Sequence, residues 1–190
     1  MNTEYIDIYC ERTGPEFWSE PVNAITNLAF IISALLIAKL IQNQLRQGNR
    51  DAVSWIFCAL IFIIGVGSWL FHTHATRWAL LSDVIPIAIF ILLYTWYALR
   101  RFAAATVLVS GAGVVIVLAI AAAVPPLTGF RGGSYVAALV ALGVIGEFLH
   151  FSRGHVAGRA LLLVFFLATV APEGVVALFA QLFRHSGLVV

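Results

Sequence analysis

Residues 53–74 read VSWIFCALIFIIGVGSWLFHTH, and no Asp, Glu, Lys or Arg interrupts them. A helix rises about 1.5 Å per residue and the hydrocarbon core of a bilayer is about 30 Å thick, so roughly 20 such residues cross it. Five further predominantly apolar stretches of about that size stand near 22–41, 78–99, 103–124, 134–151 and 160–183. The chain is 62% hydrophobic and 11% charged, with a mean hydropathy of +0.98. Ordinary soluble domains carry about 25% charged residues, and a chain this apolar could not cover its own surface in water. The expected fold is an all-α membrane protein: an acidic extramembrane segment over 1–21, then a single bundle of six transmembrane helices over 22–190. Gly48 and Asn49, Pro125 and Pro126, Gly132 and Gly133, and Gly154 and Gly158 supply the breakers expected between spans. Glu147 falls inside the fifth stretch, and Pro172 with Glu173 interrupts the sixth, where a proline implies a kink.

The segment before the first apolar run holds five acids, Glu4, Asp7, Glu11, Glu16 and Glu20, against one base, Arg12. That is the reverse of the basic start of a cleaved signal peptide, so the run from Val22 is expected to stay as a signal anchor. With the N-terminus outside, Lys39, Arg46, Arg50, Arg100, Arg101, Arg153 and Arg159 face the cytoplasm, and Arg12, Arg77, Arg131 and Arg184 lie outside. The positive-inside rule favours that orientation. A net charge of +2 gives no footprint for nucleic acid. Cys10 precedes the first span and Cys58 lies within the second, an arrangement that predicts two free thiols.

Ionisable side chains at membrane depth cost several kcal/mol unless paired, ligated or wetted. Ser68 and His72 are four apart and share a helix face. Asp83 sits in the next span, which runs in the opposite direction, so it is expected near the depth of His72. Glu11 and Glu16 belong to the same outer side. A metal ligand, a carboxylate and a hydroxyl at one interface are the ingredients of metal-assisted hydrolysis. Ser68 taken alone reads as a packing residue beside Gly65 and Gly67, since small residues let membrane helices approach. His74 reads as an interfacial residue, and Glu147, His150 and His155 as loop or packing residues of the opposite side.

The run Gly65-Val66-Gly67-Ser68-Trp69-Leu70-Phe71-His72, with Asp83 eleven residues beyond the histidine, resembles the G-x-G-S-x-x-F-H…D motif of the alkaline ceramidases. Those are membrane amidohydrolases of the superfamily that includes adiponectin-type receptors. Tyr9-Cys10-Glu11, Glu16-Phe17-Trp18 and Asn23 are similar to the family's N-terminal C-E…E-F-W…N segment. The resemblance implies a seven-helix bundle around zinc, with His72 a zinc ligand, Asp83 the general base and Ser68 steadying the oxyanion. It implies that Glu11 and Glu16 bind calcium. The chain departs from the family at Ile8 and Thr13, where the family carries an aspartate and an asparagine. It also lacks the H-x-x-x-H pair that supplies the family's other zinc ligands: its histidines are 72, 74, 150, 155 and 185. The expectation is a zinc-dependent hydrolase of ceramide-like lipid amides. The alternative is a non-catalytic lipid-binding or receptor-like protein with an incomplete metal site. Paired broken helices, which would mark a transporter, are not found.

Overall fold

A computed structural model describes residues 5–48, 50–128, 140, 141, 143 and 144. The regular elements are helical: α1 (Pro21–Thr26), α2 (Leu28–Arg46), α3 (Ala52–His74), α4 (Arg77–Arg101) and α5 (Val107–Thr128). Four stretches are long and apolar enough to cross a membrane: Pro21–Arg46, Ala52–His74, Arg77–Arg101 and Val107–Leu127. Most of their apolar surface points outward; Leu35, Leu36, Leu40, Phe62, Ile85 and Val115 are all exposed, as lipid-facing positions should be. The expected fifth and sixth spans lie outside the described residues except for helical Val140, Ala141, Gly143 and Val144.

The described chain forms two compact units, one ending at Ile91 and the other beginning at Leu92. In the first, α1 and α2 both pack on α3. Helix α1 begins at Pro21, whose fixed φ suits a first helical position. Asn27 separates α1 from α2 with almost helical backbone (φ −66°, ψ −17°), so the two count as one span with a jog. Gly48, at φ +86°, closes the far end of α2 in the left-handed conformation that glycine adopts without strain. Asp51 then caps α3, accepting from the amides of Val53 at 3.0 Å and Ser54 at 3.3 Å. Those two capping residues set the turn that the sequence marked with Gly48 and Asn49.

Helix α3 stops at Ala75, which is held in the left-handed region (φ 49°) while its amide donates to the Phe71 carbonyl at 2.8 Å. Only Ala75 and Thr76 separate α3 from α4, so the two helices form a tight antiparallel hairpin. Ser68 and Asp83 lie equally many residues from the middle of that link, and His72 is one helical turn nearer to it. The hairpin closes tightly because Gly67 has no side chain: a Cβ there would overlap the Ser82 carbonyl oxygen. That carbonyl is available for the approach because the residue four further on is Pro86, inside α4, which has no N–H to bond it. Gly65 does the same on the α2 side, where an added Cβ would come within 2.9 Å of the Phe30 Cβ and the Ile31 Cγ1. The expected role of small residues in helix approach therefore holds at both glycines.

The second unit corrects the sequence reading at one span. The stretch expected at 103–124 is helical over Val107–Thr128 instead. Ala104, at φ 52°, turns the chain out of α4, and the Thr106 hydroxyl accepts from the Val109 amide at 3.3 Å to start α5 later. Pro125 and Pro126, read as breakers between spans, are helical within the last turn of α5. Proline's φ is compatible with a helix, and the two missing N–H groups withhold the usual i→i−4 bonds from the carbonyls of Ala121 and Ala122.

Candidate active site

The polar residues of the first unit gather where its N-terminal segment meets the α3–α4 turn. Ser68, His72 and Asp83 are all buried, with relative exposures of 7%, 6% and 5%. Ser68 and His72 both lie close enough to Asp83 to act on its carboxylate. Asp83 Oδ1 is buried and has no hydrogen-bond partner among the described residues. An orphaned carboxylate oxygen in so dry a place is costly unless something occupies it. The three residues that the motif singled out are therefore brought to one end of the α3–α4 hairpin.

Glu20 was not singled out in the sequence, yet its carboxylate holds the histidine. His72 Nδ1 lies 2.5 Å from Glu20 Oε2, an ion pair when the ring is protonated and a hydrogen bond otherwise. Glu20 in turn pairs with Arg12 through the guanidinium Nε and receives the Asn23 side-chain amide at 3.2 Å. Arg12 also donates to the carbonyls of Gly14 at 2.9 Å and His72 at 2.8 Å. Arg12 and Glu20 are 5% and 1% exposed, and removing one member of such a buried pair costs about 3–5 kcal/mol. The ring of Tyr9 packs on His72 with centroids 4.9 Å apart. The amide of Ile6 donates to the Ala75 carbonyl at 2.7 Å, which pins the segment to the hairpin turn.

The two acids expected to bind calcium each accept hydrogen bonds from the nearby chain. Glu11 accepts the Val22 and Asn23 amides at 2.6 and 2.9 Å, so both of its oxygens cap the positive start of α1. Glu16 is exposed and accepts from the Ser19 hydroxyl at 3.1 Å. His74 is exposed among aromatic rings, with Phe17 at 5.5 Å and Trp78 at 5.6 Å between centroids. His150, His155, His185, Glu147, Pro172 and Glu173 lie outside the described residues.

Zinc in an enzyme takes three protein ligands and leaves a position open. The described residues gather no group of three histidine, cysteine or acidic side chains. What they do offer fits part of such a site. A metal-binding imidazole normally gives its second nitrogen to a carboxylate, which fixes its tautomer and direction. Glu20 at Nδ1 would serve that purpose and leave Nε2 as the atom to meet a metal. Further ligands would have to come from beyond the described residues.

Four helices long and apolar enough to cross a membrane define the class, an integral-membrane protein, and its ionisable side chains meet at the end of one hairpin. The chain belongs to the ceramidase family, whose sequence profile matches residues 7–171. The matched region contains Arg12, Glu20, Ser68, His72 and Asp83. Among curated proteins and among solved structures no match is found.

Proposed function

We propose that the chain is a zinc-dependent membrane amidohydrolase that cleaves the amide bond of ceramide-like lipids, with its N-terminus on the outer side. The observation that carries this reading is the Ser68–Asp83–His72 group, buried together with one carboxylate oxygen of Asp83 unspent. Membership of the ceramidase family supports the substrate class. Zinc, when bound, supplies Lewis-acid activation of the amide and of the attacking water.

The chain's own residues do the rest. His72, oriented by Glu20, holds the metal. Asp83 accepts the proton that water gives up as the new C–O bond forms. Ser68 donates its hydroxyl hydrogen to the oxygen on which negative charge develops, and in the bundle's low dielectric that bond is worth more than in water. Asp83 then returns the proton to the departing nitrogen as the C–N bond breaks, leaving a fatty acid and an amine. A lipid substrate suits a site reached from within the bilayer.

The test uses the full chain purified in detergent with zinc present. One tightly held zinc per chain and release of fatty acid from ceramide are expected. His72→Ala should lower zinc content, while Asp83→Asn should keep zinc and abolish hydrolysis, because the amide has the shape without the basicity. Ser68→Ala should cost about 10² to 10³ in rate, the effect of removing one oxyanion donor. A wild-type chain that neither retains zinc nor cleaves any ceramide offered would sink the enzyme reading in favour of a non-catalytic lipid binder.

A further inference from the structure

We infer that Arg12 is a positioning residue for His72, and that its guanidinium supplies, as a covalent part of the chain, the cation that an acidic N-terminal segment would otherwise have to bind. The inference depends on the proposed function only for what His72 does once it is held.

The segment's five acids need countercharge, and Arg12 is its one base. The acids divide by position. Glu11 is spent on the amides at the start of α1, and Glu16 is exposed to solvent. Glu20 alone of the described acids in the segment is buried, and it meets Arg12 on one oxygen and His72 on the other. Arg12 joins three separate pieces of chain: Glu20, the Gly14 carbonyl and the His72 carbonyl. The last is one of the terminal carbonyls of α3, which no amide of its own helix can reach. It also lies at the negative end of the helix dipole, where a cation is favoured.

A divalent cation fits this donor set poorly. Calcium takes six to eight oxygens, whereas the carboxylates of Glu11 and Glu20 already accept from N–H groups. A second positive charge beside a buried guanidinium would be repelled strongly in low dielectric. Lysine could not replace Arg12 either, because one ammonium does not hold three divergent acceptors in the fixed planar fork of a guanidinium.

The test uses the full chain in detergent, labelled with ¹⁵N-histidine. Wild-type protein should show the same Tm in calcium-free chelator and in millimolar calcium, because a ligand that stabilises the fold makes Tm depend on its concentration. Arg12→Lys and Arg12→Gln should each shift the His72 Nδ1 resonance in the same sense as Glu20→Gln. They should also weaken zinc binding about 10- to 100-fold, the usual penalty for losing support behind a ligand. A merely structural role would lower Tm while leaving the His72 resonance of the folded protein unmoved. A Tm that climbs with calcium overturns the inference, as does an unshifted His72 resonance in folded Arg12→Lys. If Arg12→Gln does not fold, the lysine variant and the wild-type calcium titration decide. The Tm and resonance readouts need neither turnover nor zinc, so a chain that cleaves no ceramide yet meets those two expectations refutes the proposed function and leaves Arg12 in its role.

Discussion

Replacing Gly67 by alanine adds one methyl group where the α4 backbone stands. The nearest atom to the new Cβ is the Ser82 carbonyl oxygen, followed by the Ser82 carbonyl carbon at 2.7 Å and the Asp83 amide nitrogen at 3.2 Å. All three are backbone atoms, so no rotamer change can make room. The helices must part by something on the order of 1 Å to restore ordinary carbon–oxygen contact. Overpacking of this kind costs about 1–3 kcal/mol, offset by the roughly 1 kcal/mol that alanine gains over glycine in a helix. At about 2–4 °C per kcal/mol for a chain of this size, Tm should fall by up to about 8 °C. Activity should fall further, on the order of 10²-fold, because the displaced pair is Ser68 and Asp83. Gly111→Ala is the matched control: the nearest atom to its added Cβ is Trp96 Cζ3 at 3.7 Å, an ordinary contact. That variant should gain about 0.5–1 kcal/mol from helix propensity. Thermal unfolding followed by intrinsic fluorescence, with ceramide turnover measured on the same preparations, gives both numbers. If Gly67→Ala is as stable and as active as Gly111→Ala, the backbone approach does not place the site and the reasoning fails.

Glu11→Gln should cost about 0.5–2 kcal/mol through weaker capping of α1, while Glu16→Gln at an exposed site should stay within about 0.5 kcal/mol of wild type. Equal losses at the two positions, read by Tm, would contradict the assignment of Glu11 as a cap. Cys10 is exposed and Cys58 buried, so a membrane-impermeant thiol reagent applied to intact cells should label the wild type and leave Cys10→Ser unlabelled. Labelling of Cys10→Ser/Gln47→Cys on intact cells would invert the proposed orientation. Both thiols should remain free, with monomer mobility on a gel unaffected by reductant.

The helices were legible because a span of hydrocarbon requires a run of apolar residues whatever its neighbours are, and residues 53–74 differ from the observed α3 by one residue. The start of α5 was missed because Thr106 and the left-handed Ala104 decide it, and neither interrupts hydropathy. That Ser68, His72 and Asp83 come together was readable from their spacing across one hairpin. Arg12 and Glu20 were not, since they reach His72 across 60 and 52 residues of chain and follow no helical period. Within 1–21 the family resemblance points to Glu11 and Glu16, which the structure engages with amides and a hydroxyl. A clue was available: Glu20 stands directly before Pro21 at the mouth of the first span, where an acid can turn inward, and the segment has one base to meet it.

Gly67 and Pro86 set the depth of the hairpin by what they lack, a side chain in one case and an amide hydrogen in the other. Contact made this way does not titrate and is not screened, so the level at which Ser68 faces α4 should be indifferent to salt and acidity while the charged support of His72 is not. It also outlives the chemistry. A descendant that lost Asp83 but kept Gly-Ser in one helix and the proline in the next would still close the same hairpin around an empty polar end. Such a chain would have a scaffold free to be reused for holding a lipid without cutting it.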